Sequence, residues 1–113
     1  MSNVSANLAA VSGTAKAASG QLFGLFATNR NAAVRYLMVF DQPGAPNTGS
    51  APVFEFPVSA ITSTTAVGTL ALGSNFFAPG WTFSNGITWG FSSTSGTYTA
   101  ATAADHDLLL VLA

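Results

Sequence analysis

The sequence predicts an all-β fold, a single-domain antiparallel β-sandwich. Three observations lead there. Gly, Thr, Ser, Val and Phe dominate, and these residues favour strands and turns. Beyond the first 19 residues no apolar pattern at i, i+3, i+4, i+7 is sustained. Turn-forming stretches recur at short intervals ("TNRN", "QPGAPNTGSAP", "APG", "SNG", "STSG"), with short apolar segments between them.

Residues 1–19 form an N-terminal arm ahead of a sandwich domain at 20–113. Within the arm, Val4, Ala6 and Leu8 alternate with Ser5 and Asn7 as in a strand, while Val4, Leu8 and Val11 also fit a helical stripe. The first expected strand of the domain is "GQLFGLFAT" (20–28), and the clearest is "AVRYLMVFD" (33–41). "PVFEFPVS" (52–59) follows a loop of Pro, Gly and Asn that is long for a hairpin and suits a crossing between sheets. Pro57 cannot donate to a ladder, so its strand belongs at an edge or a bulge. "VGTLALG" (67–73) comes next; "GWTFS" (80–84) and "GITWGFSS" (86–93) flank the short "SNG" turn; "DLLLVLA" (107–113) closes the chain.

Side chains alternate across a strand. In the clearest strand the even face carries Val34, Tyr36, Met38 and Phe40, all apolar or aromatic. The odd face carries Leu37 and Val39 between Arg35 and Asp41. "QLFGLFA" sets Leu22 and Phe26 on one face and Phe23 and Leu25 on the other, and "LLLVLA" is apolar on both. The outer face of a sandwich is normally polar. With no helices expected, a neighbouring subunit or a large host surface is the cover these faces call for. The plain alternative is a monomer that leaves a few apolar residues outside.

Composition narrows the function. At 113 residues the chain buries roughly 65% of its unfolded surface, enough for a real core. Only 6% of residues are charged, against about 25% in typical soluble domains. Lys16, Arg30 and Arg35 are too few and too scattered for a nucleic-acid-binding face. No membrane partner is expected either, because "LLLVLA" is far shorter than the roughly 20 apolar residues of a spanning helix. The first residues lack a basic start followed by a compact apolar run, so no signal peptide is expected. There is no cysteine, hence no disulfide framework or thiolate metal site.

No catalytic constellation stands out, and no enzyme, cofactor or metal is expected. "DHD" at 105–107 is the one cluster of metal-type ligands, but strand neighbours point to opposite faces and a structural site takes about four ligands. A Ser-His-Asp triad would have to use His106, the lone histidine, and no G-x-S-x-G elbow is present. "GSNFFAPG" lacks the Lys of a phosphate loop. Between 76 and 98, Trp81, Trp89, Phe91 and Tyr98 lie among Ser, Thr and Asn. Exposed, Trp81, Trp89 and Tyr98 would stack on sugar rings; packed inward, they would be core.

The runs "GQLFGLFATNRNAAVRYLMVFD", "APxxGSAP", "FPV", "GITWGFSST" and "TYTAA" resemble a group of small virion structural proteins of tailed bacteriophages, over roughly residues 20–113. The resemblance implies a β-sandwich, with the jelly roll as one form of it. It also implies a place on the particle: a capsid decoration (cement) protein, a head-fibre base or a tail component. No catalytic residue comes with it. The expected partners are further copies of the chain, a trimer being the favoured closed unit, and the major capsid protein or other virion proteins. The expected location is the virion, after synthesis in the cytoplasm of the bacterial host. Arg35, Tyr36, Phe40, Asp41 and Glu55 are the candidate framework or interface residues, with Arg35 suited to a carboxylate on another strand or subunit.

Overall fold

The computed structural model describes residues 2–7, 11–61, 67–73, 76–77, 80–101 and 106–113. Among these there is no helix, and the strands are β1 (Ser2–Asn7), β2 (Ser12–Lys16), β3 (Gly20–Asn29), β4 (Arg35–Phe40), β5 (Phe54–Val58), β6 (Gly68–Leu72), β7 (Trp81–Phe83), β8 (Ile87–Ser92) and β9 (His106–Leu112). One sheet has the order β1-β9-β3-β6, with β7 also pairing along the start of β3; the other has the order β2-β8-β4-β5. Every strand pair is antiparallel. With β7 set aside, the first strand pairs with the last, the second with the next to last, and so inward to β4 with β5. That is a long hairpin rolled onto itself, the jelly roll.

One open choice about the chain's course is decided and one expectation is corrected. Residues 2–7 pair with residues 107–112 of β9, and residues 12–16 pair with β8, so the range expected as an arm contributes a strand to each sheet. The alternation of Val4 and Ala6 with Ser5 and Asn7 pointed to the first of these strands, and nothing comparable marked the second. The long loop after β4 does not change sheets, because β4 and β5 are neighbours in one sheet. The chain changes sheets at other connections, among them the short "SNG" turn, which takes it from β7 in the first sheet to β8 in the second. Pro57 does lie on an edge strand.

The core fills the space between the sheets. Leu22, Leu25, Ala27, Leu108, Leu110 and Leu112 come from the first sheet, and Leu37, Val39, Val58, Ile87, Trp89 and Phe91 from the second. β9 shows the pattern most simply: His106, Leu108, Leu110 and Leu112 are buried, and the residues between them are only partly so. β3 departs from alternation. Its pairing with β9 slips between Leu22 and Gly24, so that Leu22 faces Leu112 and Gly24 faces Val111. This bulge adds one residue, Phe23. Leu22 and Leu25 therefore both enter the core, and Phe23 and Phe26 both lie outside it. The sequence expectation, which placed Leu22 with Phe26, assumed an unbroken strand.

The even face of β4 is covered by its own chain. Met38 and Phe40 point away from the main core, yet Phe40 is only 1% exposed. After β8 the segment 93–101 folds back across this face as a strap, and Tyr98 plugs it, meeting Phe40 edge-on with centroids 5.7 Å apart. The long loop after β4 holds the strap: the Tyr98 N–H donates to Ser50 O and the Gly49 N–H donates to Tyr98 O. The Tyr98 hydroxyl is hydrogen-bonded to Ser12 on β2. The expectation that other subunits cover this strand is thus corrected: a small chain covers it with two of its loops.

Candidate functional site

With the strap across the second sheet, an open apolar surface among the described residues is the outer face of β3 and β9 in the first sheet. Alternation along β9 directs Leu109 and Val111 outward, and the bulge adds Phe23 and Phe26 beside them. These residues, with Leu72, Gly24 and Gly73, line an open groove of about 250 Å³. Phe26 is 41% exposed. Gly24 keeps the floor low, since a Cβ there would stand 3.1 Å from Leu72 O.

Among the described residues, an ion pair marks one end of this face. Asp107 accepts a hydrogen bond from the Thr28 hydroxyl at 2.8 Å and pairs with Arg30 at 2.6 Å. The two ionised groups neutralise each other, and no charged residue lines the groove. Phe23 carries the apolar surface further. Gly80, at φ +113°, lies so close that a Cβ would be 2.7 Å from the Phe23 ring. Next to it Trp81 is 49% exposed, its ring 4.9 Å from Phe54 in an edge contact. Exposed Phe76 lies at the same edge, stacked edge-on against Phe56 and Phe77.

The residues singled out in the sequence fall in separate places. Asp41 is a framework group. Its carboxylate accepts backbone N–H bonds from Ser84, Asn85 and Gly86 at 3.3, 2.8 and 3.4 Å, pinning the turn that crosses between sheets. The Asn85 bond is the main reason its pKa lies below the ordinary value; partial desolvation opposes it, and the Ser84 and Gly86 bonds add to it. Glu55 does the same for the strap, accepting from the Ser95 hydroxyl at 2.7 Å and the Gly96 N–H at 2.6 Å. Tyr36 and Phe40 pack against the Tyr98 plug. Arg35 opens β4; its Nη1 reaches only Val34 O at 3.5 Å, and its buried Nε has no acceptor among the described residues.

Of the three candidate sugar-stacking rings, Trp81 alone is open to solvent. Trp89 lies in the core and Tyr98 is the plug, so neither presents a ring face. In sequence all three look alike, because a strap of Ser and Thr reads like a solvated loop. His106 is 1% exposed and stacks on Phe91 at 4.3 Å with 13° between ring planes, while its neighbour Asp107 faces the other side of the sheet. Asp105 lies outside the described residues.

Compared with known proteins, the chain matches no family model, no curated protein and no solved structure.

Proposed function

We propose that this chain is a non-enzymatic virion structural protein of a tailed bacteriophage, a capsid decoration (cement) protein that oligomerises and binds the major capsid shell. The observation that carries the reading is the contrast between the two outer faces. The chain closes one with its own strap and leaves the other open, uncharged and lined by Phe23, Phe26, Leu109 and Val111. An apolar groove of this kind on a chain with so few charges suits assembly on a repeating surface. The fold admits the reading without deciding it, since jelly rolls serve in capsid proteins and in lectins alike. The resemblance in sequence falls largely on β3, β4 and β8, which build both sheets.

The test is twofold. Light scattering gives the mass in solution, where a closed oligomer, a trimer in the favoured form, is expected. Co-sedimentation with phage shells lacking their decoration then reports binding, and a monomer that leaves shells bare would end the reading. Shells bare but tails decorated would move the protein to a tail or fibre. The second reading, a carbohydrate-binding module, rests on the half-exposed Trp81. It expects glycan binding that Trp81→Ala abolishes.

A further inference from the structure

We propose that Asn85–Gly86 is a site of spontaneous deamidation and that Asp41 is the group that holds it closed. It is the only Asn–Gly pair in the sequence. Glycine offers no side chain to shield its nitrogen, so this dipeptide is the most reactive setting for an asparagine. The Gly86 nitrogen loses its proton and attacks Cγ of Asn85. A C–N bond forms, the Cγ–Nδ2 bond breaks, and ammonia leaves with the proton. Water then opens the five-membered imide at either carbonyl to give aspartate or isoaspartate. The net change is water in and ammonia out, with no oxidant or other reactant.

The structure explains why so reactive a pair is kept. Asn85 is exposed in the turn between β7 and β8. Gly86 is buried, and a Cβ on it would stand 2.5 Å from Gln42 O and 2.8 Å from Pro43 Cα. No larger residue fits, so the glycine cannot be exchanged for a safer one. Asp41 occupies the attacking atom instead. Its Oδ1 accepts from the N–H groups of both Asn85 and Gly86, and its Oδ2 accepts from Ser84. A carboxylate beside the Gly86 N–H disfavours loss of that proton. Three converging amides also fix the backbone that must rotate to bring nitrogen to Cγ. Once formed, isoaspartate would lengthen a turn held at three points. The reaction is therefore expected to loosen the crossing between the sheets.

The experiment uses the full chain, incubated at mildly alkaline pH and followed by peptide mass mapping. Folded wild type is expected to deamidate at Asn85 several-fold more slowly than the same chain unfolded in urea. D41N and D41A are expected to recover most of that difference while circular dichroism shows the β fold retained. Asn85→Gln should remove the signal and so assign it. G90A, which strains the opposite side of the second sheet, should leave the rate unchanged if the control is local. Hydrogen exchange at the Gly86 amide needs no variant and is expected to be slow. The proposal is overturned if folded wild type reacts as fast as the unfolded chain, if the Asp41 variants react no faster, if G90A accelerates the reaction as much as they do, or if the Gly86 amide exchanges without protection.

Discussion

The Tyr98 ring lies on Gly90: a Cβ at position 90 would stand 2.5 Å from Cε1 of the ring. The glycine gives the strap a seat on the second sheet, and the ring in turn buries Met38 and Phe40. Gly90→Ala is expected to cost about 1–3 kcal/mol, the usual cost of forcing extra volume into a packed site. Tyr98→Ala removes the plug and is expected to cost about 3–5 kcal/mol, as for other large aromatic truncations. Urea unfolding followed by tryptophan fluorescence measures both, and a wild-type midpoint in Gly90→Ala would show that the strap does not seat there.

Asp41 and Tyr98 set opposite pH limits. The folded pKa of Asp41 is depressed, first by the Asn85 N–H. Its contribution is therefore present above the unfolded carboxylate value and is lost as pH falls through the folded one. Tyr98 is shifted up from 10.0 by burial, against a smaller lowering by its bond to Ser12. Its contribution is complete below the unfolded tyrosine value and is lost as pH rises through the folded one. Unfolding midpoints across pH are expected to fall at both ends. Asp41→Asn should flatten the acid limb and Tyr98→Phe the alkaline limb. An acid limb as steep in Asp41→Asn as in wild type would show that the Asp41 carboxylate does not pin the turn.

Much of this fold is legible in the sequence, because strongly apolar runs bounded by Gly and Pro report strands directly. The run "RYLMVF" becomes β4, and "ITWGFS" becomes β8. What escapes is where one residue changes the pattern, or where two distant loops meet. The bulge at Phe23 exchanges the expected faces of Leu25 and Phe26 relative to Leu22, and no local feature but Gly24 marks it. The strap is invisible because Tyr98 meets Ser50 and Phe40 from nearly fifty residues away or more. The open groove was legible only in part: two-sided apolar strands announced an exposed face, but assigned it equally to β4, which the chain covers itself.

His106 is a core residue in this structure, stacked on Phe91. His106→Ala is expected to cost about 2–4 kcal/mol through the cavity it leaves. The loss should appear in unfolding experiments, and any binding measured below the unfolding transition should be unchanged. Reduced binding by a fully folded variant would give the histidine a role beyond packing.

The Arg30–Asp107 pair is short but exposed, with 41% and 21% of the side chains open to water. Arg30→Ala is expected to cost no more than about 1 kcal/mol, and less in high salt. Asp107→Ala should cost more, since Thr28 also loses its acceptor. A double-mutant cycle on residues 30 and 107 checks the pair, and a coupling well above that figure would mean the pair is shielded from solvent by a partner.

The central claim is that the outer face of the first sheet is where the chain assembles. The direct test is light scattering on wild type and Phe26→Lys across a concentration series, with urea unfolding run alongside. Phe26 is outside the core, so the variant should still fold and unfold cooperatively, losing only the concentration-dependent stability that assembly adds. The account predicts a closed oligomer for wild type and a folded monomer for Phe26→Lys. A wild type that stays monomeric at every concentration, or a Phe26→Lys variant that assembles as wild type does, would contradict it.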